Sequence, residues 1–309
     1  MKYIFIINKT AGNGKFQTRQ LEDLVISSAK KANIEKDVSC YFTSAPNDSI
    51  NYIASLDAQN GPYTIIACGG DGTLKEVVNG IMKRSDSSDI RIGIIPCGTG
   101  NDFVKSFTNN ENFLNIEKQF NSNVHEIDVI KVDDDYCINL ANMGFDANVA
   151  NNMNQYKKKF GKFSYQIALL RELFLPAKFP MTIEFDDNTK LEGDYILLSI
   201  ANGVAYGGGF YAAPLSSMTD GVMDICYCDM ISKLRLITVI GDYKAGKHFS
   251  GKYDNFIHRK TAKHLKINFK FPTNVSLDGE ICRKTSMDVT ILHKAIKLSL
   301  PQKCDFLNK

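Results

Sequence analysis

The sequence has no long hydrophobic run and no Cys-x-x-Cys pair, and these absences exclude several kinds of protein. None of its apolar stretches approaches the roughly 18 residues that a membrane-spanning helix needs. The apolar start, from Met1 to Asn8, is too short for a secretory signal peptide and has no small-residue cleavage site. Five of the eight cysteines lie within apolar, strand-like segments, which is typical of reduced core residues. We therefore expect a globular protein of the cytoplasm.

Two familiar phosphate-binding patterns are also missing. No glycine stands five residues before Gly14-Lys15, so the spacing of a P-loop is absent. Gly12 and Gly14 lack the third glycine of a dinucleotide-binding fingerprint, which argues against a dehydrogenase. The sequence contains no internal repeat, low-complexity tract or long linker. At 309 residues it exceeds the usual size of a single hydrophobic core, so two domains are expected.

Charge is nearly balanced overall, at +3, but it is unevenly distributed. Residues 1–125 hold 13 basic and 13 acidic side chains, whereas the window from Lys233 to Lys270 holds ten basic residues against two acidic ones. This composition, with aromatic residues interleaved, suits an anionic membrane surface, although solvated helix and strand faces would also explain it. We expect membrane contact in which Lys244, Lys247 and Lys252 take part, and no nucleic-acid partner.

A glycine-rich turn, Gly69-Gly70-Asp71-Gly72, is the most informative feature of the sequence. An apolar segment typical of a strand precedes it, and an apolar stripe with helical spacing follows, at Leu74, Val77, Val78, Ile81 and Met82. Backbone N–H groups at the start of a helix bind phosphate, and glycines allow close approach. Asp71 would repel a bare phosphate, so its carboxylate indicates a divalent cation that bridges it to the phosphates. The alternative is an ordinary turn in which Asp71 caps the helix.

Four apolar strands separated by helical patterns are predicted in the first third of the chain. They are Tyr3–Ile7, Val38–Phe42, Tyr63–Cys68 and Arg91–Ile95. This alternation predicts βαβ units and a parallel sheet with ligands at the carboxyl ends of its strands. Glycine-containing turns follow three of the strands, at residues 8–15, 69–72 and 96–103. Three such turns at neighbouring strand ends indicate one ligand site.

The first and last of these turns carry polar side chains that suit phosphate. In the first turn Lys15 is a candidate to neutralise phosphate, and Asn8 and Thr10 offer hydrogen bonds. A surface loop with a solvated lysine is the alternative. In the last turn, Thr99, Asn101 and Asp102 either contribute to the site or form a helix cap and turn.

From residue 127 onward the pattern changes to strands with few helices. The predicted strands are Val129–Val132, Tyr136–Leu140, Met181–Phe185, Tyr195–Ala201, Val222–Tyr227, Leu265–Phe269 and Met287–Leu292. They predict a β-rich second domain with a boundary near residue 125. One predicted helical insertion, roughly Tyr156 to Leu175, mixes basic and apolar residues. It either covers a lipid-sized groove or packs on the core with a solvated basic face.

Two acidic segments of the second domain are candidates for chemistry. The segment from Ser216 to Asp224 places two carboxylates among hydroxyls and glycine, which suits an oxygen-ligated cation, although a hairpin turn is the alternative. Asp278-Gly279 is a strong hairpin signal, and Glu280 follows it directly. A turn is the simple interpretation, but a kinase that acts on a hydroxyl benefits from a carboxylate that accepts the proton, and Glu280 suits that role.

In combination, these motifs make the chain similar to the diacylglycerol kinase catalytic family, specifically the bacterial soluble lipid kinases of the diacylglycerol kinase B and YegS-like type. The resemblance covers nearly the whole sequence. Its carriers are Asn8–Gly12, Gly69–Thr73 with Glu76 and Asn79, Gly93–Phe103, Asp220–Asp224 and Asp278–Glu280.

The resemblance implies a fold of two domains. Residues 1–125 would form an α/β nucleotide-binding domain with a parallel sheet, of the NAD kinase and phosphofructokinase type. Residues 126–295 would form a β-sandwich domain for the lipid substrate, and residues 296–309 would return to the first domain. ATP and lipid are expected to meet in the cleft between the domains, and a homodimer is a further expectation of the family.

The resemblance also implies roles for individual residues, with ATP and Mg²⁺ as cofactors. Asp71 would act through Mg²⁺, Glu280 would accept the proton of the lipid hydroxyl, and Asp102 would support the cleft. The residues implied to line the nucleotide are Asn8, Lys9, Thr10, Ala11, Gly12, Thr43, Gly70, Asp71, Gly72, Thr73, Leu74, Lys75, Glu76 and Thr99. A structural Mg²⁺ would be held by backbone oxygens of Ser217 and Val222 and by the carboxylate of Asp220.

The expected activity is transfer of the γ-phosphate of ATP to a lipid hydroxyl, with diacylglycerol as acceptor and phosphatidic acid as product. Phosphatidylglycerol, monoacylglycerol and a sphingoid base offer the same hydroxyl chemistry. An NAD kinase-like enzyme is the second hypothesis, because that family shares the Gly-Gly-Asp-Gly turn, but the Pro-x-Gly-Thr-x-Asn-Asp-Phe and Asp-Gly-Glu motifs favour a lipid. The third is a non-catalytic lipid-binding protein of the same fold, against which the intact Asp71 and Glu280 argue.

Overall fold

The computed structural model describes residues 1–14, 18–145, 147–149, 151–152, 156, 167–168, 171–172 and 178–308. Over these residues the chain folds into two compact units. The first unit comprises Met1–Val129, Met218–Asp220 and Leu292–Lys309, and the second comprises Ile130–Ser217 and Gly221–Ile291. Lys15 and most of the predicted helical insertion at Tyr156 to Leu175 fall outside the described residues.

The first unit contains a parallel sheet of apolar, buried strands. Its strands are β1 (Lys2–Asn8), β2 (Val38–Thr43), β3 (Tyr63–Gly69), β4 (Ile90–Pro96) and the end of β14 (Glu280–Leu300). They lie in the order β2-β1-β3-β4-β14, and each neighbouring pair is parallel. All seven residues of β3 are buried, as expected for the central strand of such a sheet. The predicted parallel α/β sheet is therefore confirmed.

Helices connect these strands and contribute apolar faces to the core. They are α1 (Thr18–Lys31), α2 (Asp48–Ala54), α3 (Asp71–Met82) and α4 (Ile116–Phe120). In α1, Leu21 and Val25 share one cluster with Phe5 of β1. The apolar stripe predicted for α3 is confirmed, since its members from Leu74 to Ile81 are buried. The sequence did not predict α2 and α4, because seven and five residues are too few to display a helical repeat.

Short strands complete the first unit. β5 (Phe107–Thr108) pairs with β15 (Asp305–Phe306) near the end of the chain. A longer strand, β6 (Asn123–Val132), contributes residues to both units, as β14 does.

The second unit consists mainly of antiparallel strands. They are β7 (Asp135–Cys137), β8 (Leu140–Gly144), β9 (Phe179–Phe185), β10 (Lys190–Ala201), β11 (Met223–Asp229), β12 (Ile257–Ala262), β13 (His264–Leu277) and the start of β14. Their apolar side chains form one large buried cluster. This arrangement fits the β-rich second domain that the sequence predicts.

β10 and β13 each change partners along their length and so belong to two layers. Near their starts, β9 lies between them, and near their ends β8 lies between them. Shifts of register after Tyr195 in β10 and after Asn268 in β13 separate the two halves. Such irregularities let a strand bend from one sheet into the other. The β-sandwich implied by the family resemblance is thereby confirmed.

One predicted strand of the second unit is interrupted. The segment Tyr136–Leu140 is predicted as one strand, but it forms the end of β7 and the start of β8. The backbone N–H groups of Ile138 and Asn139 donate hydrogen bonds to the carboxylate of Asp278 instead of to a neighbouring strand. The Asp278 side chain thus takes the place of a neighbouring strand as the hydrogen-bond acceptor for this segment.

A helix lies within the basic window that the sequence analysis singled out. This helix, α5 (Lys233–Lys244), begins after Ser232, whose side-chain oxygen accepts a hydrogen bond from the N–H of Arg235. It was not predicted, because its apolar residues do not form a single stripe. Across the described ranges, every helix is too short or too polar to cross a lipid bilayer.

Candidate active site

The turns that follow β1, β3 and β4 meet at one edge of the sheet of the first unit. These strands are neighbours and parallel, so their carboxyl ends are adjacent. The side-chain amide of Asn8, at the end of β1, donates a hydrogen bond to Thr73 Oγ1 in the first turn of α3, at 3.0 Å. The N–H of Cys97, after β4, donates to the carbonyl of Gly69 at the end of β3, at 2.8 Å. The three turns therefore form one site.

Glycine is required where these turns touch. A Cβ on Gly98 would lie 2.4 Å from the Cα of Gly70, and a Cβ on Gly12 would lie 2.5 Å from the carbonyl oxygen of Cys97. Gly12 also has a φ of 64°, a backbone conformation that favours glycine. Backbone thus packs directly on backbone, which brings main-chain polar groups within reach of a ligand, as glycine-rich phosphate sites require.

Asp71 is the first residue of α3 and faces the turn after β4. Its Oδ1 accepts hydrogen bonds from the N–H groups of Asp102, at 2.7 Å, and Phe103, at 3.4 Å. The residue at the N-cap of α3 is Gly70, and no side chain caps this helix. The alternative in which Asp71 is an ordinary helix cap is therefore wrong. The Asp71 carboxylate instead ties the turn after β3 to the turn after β4.

The surroundings of Asp71 fit a carboxylate that binds Mg²⁺ together with a nucleotide. Asp71 Oδ2 accepts no hydrogen bond within the described part of the chain, and it lies beside Gly100, where a Cβ would come within 2.9 Å of it. Mg²⁺ is commonly held by one or two carboxylates and completed by phosphate oxygens and water. Over the same residues, no three His, Cys, Asp or Glu side chains converge closely enough to hold a metal. A cation at Asp71 would therefore need phosphate oxygens from a ligand.

Burial raises the pKa of Asp71 above its usual range, and the negative charge of Asp102 raises it further. The hydrogen bonds from Asp102 and Phe103, and the charge of Lys105, act in the opposite direction. Lys105 Nζ donates to Asp102 Oδ1 and, at 2.8 Å, to the carbonyl of Gly100. Lys105 thus holds the turn after β4 and favours ionised Asp71. Lys105 was not predicted from the sequence, where its only signal is its i,i+3 spacing from Asp102.

Other predicted nucleotide residues line the same edge of the sheet. Lys9 and Thr10 are exposed, and Lys9 Nζ lies 5.3 Å from the centre of the Phe42 ring. Thr43 ends β2 in register with Asn8 of β1, whose Oδ1 accepts hydrogen bonds from the N–H and hydroxyl of Thr10. Three further members are half-buried or exposed, namely Ala11, Gly72 and Thr99. Their contacts with a nucleotide stay a prediction.

Three predicted residues of α3 already have partners within the fold or are enclosed by it. Leu74 is buried, and its N–H donates to the carbonyl of Gly70. Lys75 is also buried, and Glu76 Oε1 accepts a hydrogen bond from the N–H of Asn47, just before α2. These residues support the first turn of α3, where the N–H groups of residues 71–73 precede the helical hydrogen-bond pattern.

The residues implied to hold a structural Mg²⁺ belong to different units. Ser217 and Val222 belong to the second unit, and Asp220 belongs to the first. Ser217 is buried, Val222 is half-buried and Asp220 is exposed. Their role as metal ligands stays a prediction.

Asp278 and Gly279 form the two-residue hairpin turn that the sequence predicts. Leu277 of β13 is paired with Glu280 of β14, and the two turn residues have φ of 48° and 89°. Positive φ at both positions is what a type I′ turn requires. Glu280 is exposed directly beside this turn.

The buried carboxylate of Asp278 fixes this hairpin to the segment between β7 and β8. It accepts hydrogen bonds from the N–H groups of Ile138, at 2.8 Å, and of Asn139 and Leu140, both at 3.0 Å. From the residues alone Asp278 is predicted to be part of a turn, and no local pattern reveals partners about 140 residues away. Asp278 is thus a positioning residue for the hairpin that carries Glu280.

Family models match nearly the whole chain. The diacylglycerol kinase catalytic domain matches residues 2–132, and the YegS C-terminal NAD kinase beta sandwich-like domain matches residues 139–300. The chain belongs to the YegS-like lipid kinase family. The chain is 31% identical to a protein of Staphylococcus epidermidis named "Putative lipid kinase". The match covers 85% of this chain and 86% of the relative. A "Probable lipid kinase YegS-like" of Alcanivorax borkumensis is 29% identical over 80% and 82% of the two chains.

Solved structures share the fold of this YegS-like chain. A crystal structure described as a putative diacylglycerol kinase from Bacillus anthracis has a TM-score of 0.76 at 24% identity, and covers 97% of this chain and 98% of its own. Yeast NADH kinase in complex with NADH has a TM-score of 0.51 at 12% identity, with 98% and 84% covered. At these identities both comparisons concern the fold alone, so the family assignment is what favours a lipid kinase over an NAD kinase-like enzyme.

Proposed function

We propose that the protein is an ATP-dependent lipid kinase that phosphorylates the hydroxyl of diacylglycerol to give phosphatidic acid. The observation that carries the proposal is the Asp71 site. One half-buried carboxylate, with one oxygen free of hydrogen bonds from the described residues, lies where three glycine turns meet. Membership of the lipid kinase family supports the choice of a lipid as acceptor.

The first turn of α3 supplies the groups that would bind the phosphates of ATP. Its N–H groups and the positive end of the helix dipole favour anionic oxygens, and Gly70 and Gly72 present no side chain that would block them. Asp71 would hold Mg²⁺ against these phosphates. When bound, the cation neutralises charge on the transferred phosphoryl group. Lys105, through Asp102, would keep the adjoining turn in place.

The hydroxyl of the lipid must lose its proton as it attacks. A bond forms between the hydroxyl oxygen and the γ-phosphorus, the bond from that phosphorus to the ADP oxygen breaks, and the proton moves to a base. Glu280 would take this proton, because it is exposed beside a turn that Asp278 holds rigidly. We further propose that the enzyme works in the cytoplasm, at the surface of the membrane that contains its substrate.

A direct test is phosphate transfer from labelled ATP with Mg²⁺ to diacylglycerol, phosphatidylglycerol, sphingosine or NAD. Glu280→Gln removes the base while keeping the size of the side chain, so turnover should fall by about 10²- to 10⁴-fold with little change in ATP binding. Glu192→Gln, at an exposed position of β10, is the matched control and should be fully active. Labelled NAD would support the NAD kinase-like alternative. No product with any acceptor would contradict the proposal.

Replacing Lys105 by methionine should move the acidic limb of the activity profile to higher pH. The variant lacks the charge that lowers the pKa of Asp71, so Asp71 would take up a proton, and lose affinity for Mg²⁺, at a higher pH than in the wild type. The measurement is turnover as a function of pH at fixed Mg²⁺. Lys105→Arg should restore the wild-type limb, and Lys36→Met, at an exposed site in the same unit, should leave it unchanged. If the acidic limb of Lys105→Met lies at the same pH as that of the wild type, Lys105 does not keep Asp71 ionised, and this role is contradicted.

A further inference from the structure

Helix α5 is apolar on two opposite sides, which is unusual for a helix at the surface. On one side, Leu236, Val239 and Tyr243 are buried in a core cluster of the second unit. On the other, Leu234 and Ile237 are exposed, by 78% and 52%. A helix at the surface of a globular domain normally presents polar residues to solvent. The outer side of α5 therefore exposes apolar surface to the solvent.

The exposed apolar residues lie together at the start of the helix. Leu234 and Ile237 are one turn apart and so neighbour each other on the helix surface. Met230, in the segment between β11 and α5, is also exposed, by 47%. Farther along the same side, position 241 is a glycine and position 245 an alanine, so no charged side chain interrupts it there. We call Leu234 and Ile237 the apolar ridge.

Exposed basic side chains lie on α5 and just after it. Arg235, Lys244 and Lys247 are exposed, and none of them forms an ion pair within the residues that the structure describes. Arg235 lies over the Phe256 ring at 4.3 Å, and Lys244 over the Phe210 ring at 5.3 Å. Both cations are thus held in place beside the helix while they remain accessible.

Most other cations of the same basic window are already neutralised. Lys252 pairs with Asp242, Arg259 with Asp224, Lys260 with Asp187 and Lys266 with Asp288. Tyr253 also donates a hydrogen bond to the Asp242 carboxylate, which is the acidic group of α5. Of the exposed cations in the window that form no ion pair among the described residues, Arg235, Lys244 and Lys247 lie on or just after α5, whereas Lys263 lies directly before β13 and Lys270 within it. Lys252, which was predicted to contact the membrane, is already paired.

We propose that the apolar ridge inserts into an anionic lipid bilayer and that Arg235, Lys244 and Lys247 bind its headgroups. Apolar residues with flanking cations are the combination by which a helix lies in a membrane interface. Charge complementarity selects an anionic bilayer over a neutral one. The proposal deepens the proposed function, because a lipid kinase must reach a substrate that stays in the membrane.

The sequence offers a direct reporter of insertion, because it contains no tryptophan. Leu234→Trp places a single tryptophan on the apolar ridge at a site open enough to accept it. With vesicles of phosphatidylcholine and phosphatidylglycerol, its emission should shift to the blue and be quenched by lipids brominated in their acyl chains. Pure phosphatidylcholine vesicles should produce a much smaller change. Unchanged emission with the anionic vesicles would overturn the proposal.

Binding of the same vesicles by sedimentation, without ATP, gives a second test. Leu234→Ser with Ile237→Ser should weaken binding about tenfold or more, since two apolar side chains no longer enter the bilayer. Leu24→Ser, at an exposed leucine of α1, is the matched control and should bind as the wild type does. Glutamate at Arg235, Lys244 and Lys247 should also weaken binding, whereas Lys260→Glu, at a residue already paired with an acid, should have little effect.

Failure of docking and failure of the proposed function are distinguishable. The double serine variant should lose turnover on diacylglycerol in vesicles but keep it on a short-chain diacylglycerol dispersed in solution. Unchanged vesicle binding by this variant would overturn the proposal even if the protein is a lipid kinase. A change from dimer to monomer without any loss of vesicle binding would show that a second copy covers the apolar ridge, and would also overturn it.

Discussion

Asp71→Asn should reduce phosphate transfer by about three orders of magnitude or more, because the carboxylate that would hold Mg²⁺ is lost while the side chain keeps its size. The amide oxygen can still accept the hydrogen bond from the N–H of Asp102, so the turns should remain joined. The measurement is turnover with saturating ATP over a range of Mg²⁺ concentrations. Asp89→Asn, at an exposed position in the same unit, is the control and should be fully active.

The same variant should be as stable as the wild type or more stable near neutral pH. Burial raises the pKa of Asp71 in the folded protein, so between the usual carboxyl pKa and this raised value the folded state binds more protons than the unfolded state. Stability therefore falls as pH rises through that window, and ionised Asp71 destabilises the fold above it. Asparagine removes this cost. A strong loss of activity with an unchanged or higher melting temperature would separate a functional role from a structural one.

Magnesium should oppose acid inactivation of the wild type. Protons and Mg²⁺ compete for the Asp71 carboxylate, so a higher Mg²⁺ concentration should move the acidic limb of the activity profile to lower pH. An acidic limb that does not respond to Mg²⁺ would indicate that another group titrates, and would contradict a metal role for Asp71.

The parallel sheet of the first unit was predictable because each of its strands and helices shows its type in a short stretch of sequence. Uninterrupted apolar strands such as Tyr63–Cys68 alternate with helical stripes, and each pattern can be recognised within a dozen residues. The position of the site followed from the same information, since glycine turns after neighbouring parallel strands must meet at one edge. Strands and helices were therefore predicted reliably where the spacing of their own apolar residues shows which face is buried.

Contacts between distant segments were not predictable in this way. The clamp between Asp278 and residues 138–140 joins positions about 140 residues apart, and it interrupted a strand that periodicity alone predicts as continuous. α5 was missed because its apolar residues lie on two sides of the helix, so their spacing does not show the single apolar stripe by which a helix is predicted. Lys105 was missed because its importance depends on the burial of Asp102 and on the desolvation that raises the pKa of Asp71, which the sequence does not display.

Asp278→Ala should be among the most damaging substitutions in the second unit. It removes the acceptor of three backbone N–H groups, and each buried group left unsatisfied costs about 1–3 kcal/mol. It also places alanine at a φ of 48°, which asparagine and aspartate tolerate better. Asp278→Asn should therefore be milder, because its amide oxygen can accept part of these bonds in the same backbone conformation.

Hydrogen exchange at the amides of residues 138–140 reports on this clamp directly. In Asp278→Ala these three amides should exchange at least tenfold faster, with Asp278→Asn in between and Asp254→Ala, at an exposed position of the same unit, unchanged. Turnover should fall in the same order, although Asp278 is not expected to touch the substrate, because the hairpin that presents Glu280 loses its anchor. If the amides of Asp278→Ala stay protected while turnover falls, Asp278 acts on the reaction itself and its assignment as a positioning residue is wrong.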